Sequence, residues 1–235
     1  MADSNSAVEK HPKGLYVLFA TEMWERFGFY TMLAMLTLYM RDTAQGFGWS
    51  TAQATGIYSW YQAFVYATPL IGGWLADRYL GYRNAITIGG VLFMAGYFLL
   101  AVPKNVPTFF VALVLLVLGN GFFKPNVSSM VGNLYREGSH LKDRAYLIFY
   151  MGINIGAFLA PLSAEFVQTR WGFNPAFSVA GMGMVLCLII FWGWRKHTRQ
   201  ADRAQGDFIS DKNGKGHAEA VAVTAELPPN ATADM

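Results

Sequence analysis

Six apolar segments, each long enough to cross a lipid bilayer, constrain the fold of this 235-residue chain more than any other feature. They lie at about residues 15–39, 52–76, 84–102, 107–131, 144–168 and 174–194. The composition is 54% hydrophobic and 14% charged, which is typical of a polytopic membrane protein and not of a soluble domain. The sequence therefore predicts an all-α fold, a bundle of six transmembrane helices over 14–195, between a leader at 1–13 and a disordered tail at 196–235.

Lysine and arginine are distributed unevenly between the two sides of the predicted bundle. If the N-terminus lies inside, the inner side carries eleven: Lys10, Lys13, Arg78, Arg83, Arg136, Lys142, Arg144, Arg195, Lys196, Arg199 and Arg203. The outer side carries Arg41, Lys104 and Arg170. The positive-inside rule then predicts a multi-pass protein of the cell's inner (plasma) membrane with both termini in the cytoplasm. The net charge of +3 reflects this topology and requires no nucleic-acid partner.

The first apolar segment contains three charged residues, Glu22, Glu25 and Arg26, in the sequence TEMWERFGFY. A charge near the centre of a bilayer costs about 2.5 to 3.5 kcal/mol on translocon scales, so such residues usually serve a function. At 100° per residue all three share one helical stripe with Phe29 and Tyr30. We expect this stripe to face protein or water rather than lipid.

Three further polar side chains lie deep in other segments. Lys124, in GNGFFKPN, is the only lysine deep in any span; it either extends to the inner surface or binds an anionic partner inside the bundle. Tyr66 lies well inside the second segment, where its hydroxyl needs a polar partner. Asn154 stands between Gly152 and Gly156, a small-xxx-small pattern that favours close helix packing. This asparagine is either an interhelical hydrogen-bonding group or a ligand for a polar substrate.

The remaining residues argue against an enzyme and against a cofactor. The four histidines lie in loops or tails, Cys187 is a single cysteine, and neither type clusters at metal-ligand spacing. GNGFFK follows no strand and lacks the spacing of a nucleotide-binding loop. Work on a solute would therefore draw on an ion gradient, and Glu22 and Glu25 suit protons. Arg26, one turn from Glu22, favours the charged carboxylate until an anionic substrate takes the arginine.

Four motifs resemble those of the proton-dependent oligopeptide transporters. EMWERFGFY is similar to the ExxERFxYY motif of the family's first helix, with Phe29 where the motif has its first tyrosine. GGWLADRYLG resembles the family's first signature and the corresponding loop of the major facilitator superfamily, at Gly73, Asp77, Arg78 and Gly81. FKPNVSS and FYMGINIGAF look like the fourth and fifth helices. The motifs occur in the family's order over about residues 15–195.

The resemblance implies the N-terminal six-helix half of a major facilitator fold and symport of di- and tripeptides driven by a proton gradient, without a metal or other cofactor. It implies proton coupling by Glu22, Glu25 and Arg26. The residues that it implies for the peptide pocket are Arg26, Tyr30, Tyr66, Lys124 and Asn154. Arg26 and Lys124 would face the peptide carboxylate. Phe29 removes one hydroxyl, and its effect on peptide contacts stays open.

The resemblance also implies a second six-helix half, which this chain lacks, besides peptides, protons and membrane lipid as partners. One bundle cannot alternate access alone. The chain is thus expected to be a fragment or prematurely ended reading frame, one of two assembling chains, or a self-associating half. Two other functions remain open: a carrier of nitrate or another small anion, and a non-transporting half that modulates a full-length partner.

Overall fold

The computed structural model describes residues 10–136 and 138–202, and within these ranges it is an all-α bundle without strands. The six long helices are α1 (Lys13–Arg41), α2 (Thr51–Leu75), α3 (Tyr82–Leu100), α4 (Val106–Asn133), α5 (Leu141–Trp171) and α6 (Phe173–Gly193). Each coincides, within a few residues at either end, with one of the six apolar segments. The predicted fold class is confirmed.

Four of these helices, α3 to α6, are long and apolar enough by length and composition to cross a membrane. The other two, α1 and α2, have comparable lengths of 29 and 25 residues but do not reach the same apolar composition. In α1 the reason is the charged stripe, which lies in the middle of the helix. Of the two helices that depart from lipid-like composition, α1 is the one with charged residues in its middle, and it is the one expected to carry chemistry.

The helix ends follow local sequence signals. Ser50, the N-cap of α2, accepts a hydrogen bond from the backbone N–H of Gln53, whose side chain accepts one in return from the Ser50 backbone. Asn105 caps α4 with a single hydrogen bond, which its side chain accepts from the Thr108 backbone N–H at 3.0 Å. Gly172, at φ +93°, permits the abrupt turn from α5 into α6.

No extended loop connects α2 to α3. The helix continues from α2 into one π-helical turn, Ala76–Leu80, and then reverses at Gly81, which has φ +76°. Asp77 accepts a hydrogen bond from the Tyr82 hydroxyl at 2.7 Å, and the Arg78 guanidinium lies 5.8 Å from the Trp74 ring. Glycine suits the tight reversal at Gly81, whereas the π-helical turn has no simple sequence signal.

Glycines bring the helices close together. α1 packs most extensively against α5 and α6, and α4 packs against both α2 and α3. The α1–α5 contact runs along Gly152, next to Phe19, and Gly156, next to the Met23 carbonyl. The small-xxx-small interpretation is confirmed, since a side chain at either position would meet α1.

The α2–α4 contact is closest where Gly72 meets the Gly121 carbonyl, and Gly73 faces Pro125 nearby. Elsewhere α2 buries little: Ala54, Tyr61 and Val65 are its other buried residues. The outward faces of α2 and α5 expose large apolar side chains, among them Trp60, Phe64, Leu70, Leu147, Phe158 and Leu162. These faces have room for lipid or for another protein.

The predicted tail needs one correction. The chain does not leave the bundle at residue 196, because Arg195–Ala201 forms a short 3-10 helix with Thr198 and Ala201 buried. The Asn133 side chain at the end of α4 donates a hydrogen bond to the Ala201 carbonyl at 3.2 Å. Small and polar side chains seat this segment against the bundle, which a composition argument does not detect. The disorder predicted further along, and most of the leader, fall outside the described residues.

Candidate functional site

Three charged side chains of α1 meet inside the bundle. Glu22, Glu25 and Arg26 are 2%, 0% and 4% exposed. Arg26 donates two hydrogen bonds to Glu25, from Nε to Oε2 at 2.5 Å and from Nη2 to Oε1 at 2.7 Å. Its Nε lies 3.4 Å from Oε1 of Glu22. These are the two ion pairs present in the described part of the chain.

The carboxylate that binds Arg26 at the shorter distances is not the one that helical spacing suggests. Residues four apart share a helix face, which favours Glu22 as the partner of Arg26, whereas adjacent residues do not face each other. The long arginine side chain nevertheless reaches Glu25 and binds both of its oxygens. Oε2 of Glu22 is left buried without a hydrogen-bond partner among the described residues. The two carboxylates therefore differ in their hydrogen bonding, although they lie on the same helix.

Aromatic side chains enclose this cluster. The Arg26 guanidinium lies 4.8 Å from the centre of the Phe29 ring, so the residue that departs from the family motif packs against the cation. Tyr61 of α2 and Tyr97 of α3 lie within electrostatic range of Glu25 and Arg26. Both phenol oxygens are buried and have no hydrogen-bond partner in the ranges described.

Sequence reasoning missed Tyr61 and Tyr97 as members of the site. A tyrosine in the middle of an apolar span needs a polar partner, and this argument was applied only to Tyr66. The same argument would have singled out both residues. It could not have told that their rings point inward, because that depends on which face of each helix the packing buries.

Cys187 of α6 contacts the α1 backbone next to the cluster. It is fully buried, and its thiol donates a hydrogen bond to the Thr21 carbonyl at 3.2 Å. Thr21 directly precedes Glu22, so this hydrogen bond holds the α1 backbone next to Glu22 against α6.

Lys124 of α4 and Tyr66 of α2 form a second polar group. It lies on the side of the bundle where Tyr66 is exposed, which we call the open face. The Lys124 Nζ lies 5.8 Å from the centre of the Tyr66 ring, and Tyr66 is 71% exposed. Lys124 is half-buried and lies within electrostatic range of Glu22. The side chain thus stays with the bundle instead of extending freely to the surface. Its cation is available to an anion that approaches from the open face.

Tyr30 and Asn154 lie apart from both groups. Tyr30 is half-buried, packs edge-on against Phe29 at 5.4 Å, and lines a cavity of about 320 Å³ with Tyr58 of α2 and Pro161 of α5. Asn154 is exposed on α5. In the described ranges no hydrogen bond joins Asn154 to Arg26 or Lys124. The structure therefore brings Glu22, Glu25 and Arg26 together and Lys124 to Tyr66, but it leaves the predicted pocket open.

The described residues contain no group of three or more histidine, cysteine, aspartate or glutamate side chains placed to hold a metal ion.

The profile of the POT family matches residues 83–220, more than half of the chain. The chain belongs to the POT family. The α1 cluster lies outside the matched range, whereas Lys124 and Asn154 lie inside it. The POT assignment agrees with the resemblance carried by the four sequence motifs, and POT proteins are transporters, located in membranes.

Two curated POT-like relatives and one solved structure illustrate the similarity. The chain is 41% identical over 206 residues to a di-/tripeptide transporter of Lactococcus lactis, covering 86% of this chain and 41% of that protein. It is 43% identical over 188 residues to the uncharacterized transporter YclF of Bacillus subtilis, covering 79% and 38%. A POT family transporter in complex with a thioalcohol-conjugated peptide matches with a TM-score of 0.79 and 33% identity, covering 92% of this chain and 46% of that one.

The chain thus spans less than half the length of the relatives that it matches. The matched part of the solved transporter is the six-helix bundle described above. What the whole transporters do therefore bears on this chain only as a proposal.

Proposed function

We propose that this chain forms the N-terminal half of a proton-coupled symporter of di- and tripeptides, which alternates access together with a second six-helix half. The observation that carries the proposal is the buried cluster of Glu22, Glu25 and Arg26, next to the open face that presents Lys124. The POT membership and the peptide transport named for its relatives support the choice of substrate. We place the chain in the plasma membrane as a multi-pass protein with both termini in the cytoplasm.

Glu22 acts as the proton carrier in this proposal, and Glu25 holds Arg26. The bidentate Glu25 pair fixes the guanidinium through Nε and Nη2, while Nη1 takes part in neither of these hydrogen bonds. A peptide carboxylate that reaches Arg26 would draw the cation from Glu22, whose second oxygen already has no partner. Loss of that attraction raises the affinity of Glu22 for a proton, which couples peptide binding to proton binding.

Lys124 supplies the second cation for the peptide carboxylate. Two cations in a low-dielectric cavity orient a single carboxylate more strongly than one. Tyr66 holds the Lys124 side chain toward the open face. Tyr30 and Asn154 form further parts of the wall of the proposed peptide pocket. The pocket becomes enclosed only when a second half covers this face. That half supplies the opposing wall, and the exposed apolar faces of α2 and α5 offer area for its packing.

The test joins this chain to the missing portion of a POT relative and measures dipeptide uptake in proteoliposomes under an inward proton gradient. Glu22→Gln and Lys124→Ala are expected to abolish proton-driven accumulation, because each removes a group that no neighbour can replace. Glu165→Gln and Lys142→Ala are the matched controls, since both side chains lie on exposed or peripheral positions of α5. Accumulation like that of the unmodified protein in both site variants would refute the assignment.

The same preparation separates the alternative functions. Nitrate uptake that dipeptides do not inhibit would indicate a small-anion carrier, which has less need of the glutamate pair. Binding of the chain to a full-length POT protein, with altered uptake by that protein, would indicate a modulating half.

A further inference from the structure

A polar cavity of about 230 Å³ lies at the end of the bundle where α3 begins and α6 ends, far along the chain from the α1 cluster. Its polar lining comes from Arg83, Asn84 and Thr87 of α3, and from Arg195 and Asp202 around the 3-10 helix. Trp192 of α6 forms the apolar side. This end of the bundle also carries most of the chain's lysines and arginines.

The guanidinium groups of the two arginines of this cavity form no ion pair with a carboxylate among the described residues. Both ion pairs in the described ranges belong to Arg26, so neither Arg83 nor Arg195 forms one. The Nε of Arg83 is buried and lacks a hydrogen-bond partner among the described residues. The Arg195 guanidinium lies 5.0 Å from the centre of the Trp192 ring. A buried guanidinium N–H without an acceptor is costly, which points to an acceptor supplied by a ligand.

Asp202 shapes the cavity without neutralising it. Its Oδ1 accepts a hydrogen bond from the Arg83 backbone N–H at 3.2 Å, and the Thr87 hydroxyl donates to the Arg83 carbonyl at 2.8 Å. The backbone of Arg83 is thus fixed from both sides while its guanidinium stays available. Counting the two arginines and one aspartate, the lining keeps a net charge of +1.

We propose that this cavity binds a phosphate group at the cytoplasmic membrane surface. Arginine forks match phosphate oxygens in geometry as well as in charge. The cavity is large enough for a phosphate and its ester oxygens but not for an entire lipid. Basic pockets between transmembrane helices on the cytoplasmic side bind lipid headgroups, and tryptophan is enriched at that depth.

Exposed apolar side chains favour a phospholipid over free phosphate as the source. One turn further into the span, α3 exposes Ile88 and Val91, and α6 exposes Ile189. An acyl chain attached to a phosphate in the cavity could lie along these residues. The phosphate site is independent of peptide transport, so the proposal stands or falls separately from the proposed function.

The experiment titrates the purified chain in detergent with phosphatidylglycerol and counts bound lipid by native mass spectrometry. Arg83→Gln and Arg195→Gln are each expected to weaken binding at least about tenfold, as for the loss of one charge-assisted hydrogen bond. Arg170→Gln is the matched control, because its guanidinium also lies over an aromatic ring, Phe166 at 3.9 Å, but at the opposite end of the bundle. Binding by Arg170→Gln should equal that of the unmodified chain.

A second arm adds inorganic phosphate at the same concentrations. Failure of phosphate to displace the lipid identifies the phospholipid as the ligand, whereas displacement that is lost in Arg83→Gln and Arg195→Gln identifies a free-phosphate site. Equal lipid and phosphate binding in those variants and the unmodified chain would overturn the proposal, as would an equal loss in Arg170→Gln. Arg195 is exposed, so its variant reports on binding even if Arg83→Gln fails to fold, and Arg83→Lys should retain part of the affinity.

Discussion

Arg26 holds both carboxylate oxygens of Glu25, its neighbour in sequence, although helical geometry turns adjacent side chains about 100° apart. Glu22, on the same face as Arg26, keeps only a 3.4 Å contact to Nε. The two acids therefore have different surroundings. Both carboxylate oxygens of the buried Glu25 are hydrogen-bonded, whereas Oε2 of Glu22 has no hydrogen-bond partner among the described residues.

This difference predicts unequal effects on stability. Glu25→Gln leaves a buried guanidinium without its carboxylate, and we expect a loss of about 3 to 5 kcal/mol in the free energy of unfolding. Glu22→Gln should cost less, because the looser contact is the only one lost. Unfolding of the purified chain, followed in detergent, measures both. Glu165→Gln, on an exposed position of α5, should stay within about 0.5 kcal/mol. A larger loss for Glu22→Gln than for Glu25→Gln would contradict the pairing described above.

Replacement of glycine by alanine is predicted to have opposite effects at two positions, one in the α1–α5 contact and one on an open side of α2. A Cβ at Gly156 would meet the Met23 carbonyl, so Gly156→Ala should destabilise the chain by about 1 to 3 kcal/mol. Gly56 lies inside α2 with nothing within 4 Å of such a Cβ, and Gly56→Ala should stabilise by about 0.5 to 1 kcal/mol. Melting temperatures of the two variants test this. A melting temperature of Gly156→Ala at or above that of the unmodified chain would be inconsistent with the packing of α1 on α5.

Asp42, in the loop after α1, predicts a dependence of stability on pH. Its Oδ1 accepts backbone hydrogen bonds from Gln45, Gly46 and Ala44, and these lower the pKa of Asp42 below its ordinary value. Because the folded pKa is lowered, the stabilisation is present above the unfolded value of about 3.9 and is lost as pH falls through the folded value. Asp42→Asn should therefore melt below the unmodified chain at pH 7, with the gap closing in strong acid. A gap that is the same at both pH values would exclude this origin.

Tyr66 predicts a functional effect without a structural one. Its ring is exposed and contacts the Lys124 ammonium, so Tyr66→Leu should change stability by less than about 0.5 kcal/mol. In the two-half transporter the same variant should lower dipeptide uptake about two- to fivefold, the equivalent of one exposed cation–π contact. Tyr66→Phe keeps the ring and should retain uptake. Equal losses in both variants would show that the hydroxyl matters rather than the ring.

The sequence was sufficient for the six helices because each apolar segment must satisfy its own backbone hydrogen bonds. The charged stripe of α1 was likewise predictable, since Glu22, Glu25 and Arg26 cannot face lipid at low cost. The order of pairing was not predictable, because it depends on how the arginine side chain folds back toward Glu25. Nor could spacing reveal that Tyr61 and Tyr97 turn toward the cluster. That orientation is decided by glycine contacts between helices distant in sequence, such as Gly28 against Tyr97.

The short helix at Arg195–Ala201 connects helices that are distant in sequence at one end of the bundle. It lies against α1 and α4, while Asp202, which follows it, holds the start of α3. Gly14 at the beginning of α1 lies against the His197 carbonyl of the same short helix. Helices α1, α3 and α4 are thereby tied together at this end. At the other end, Gln45 in the loop after α1 accepts a hydrogen bond from the Phe173 backbone N–H at 2.9 Å, and Asn174 of α6 donates one to the Ala101 carbonyl at 2.8 Å. Because both ends are cross-linked, a force applied to one helix is expected to move the six helices together as one body.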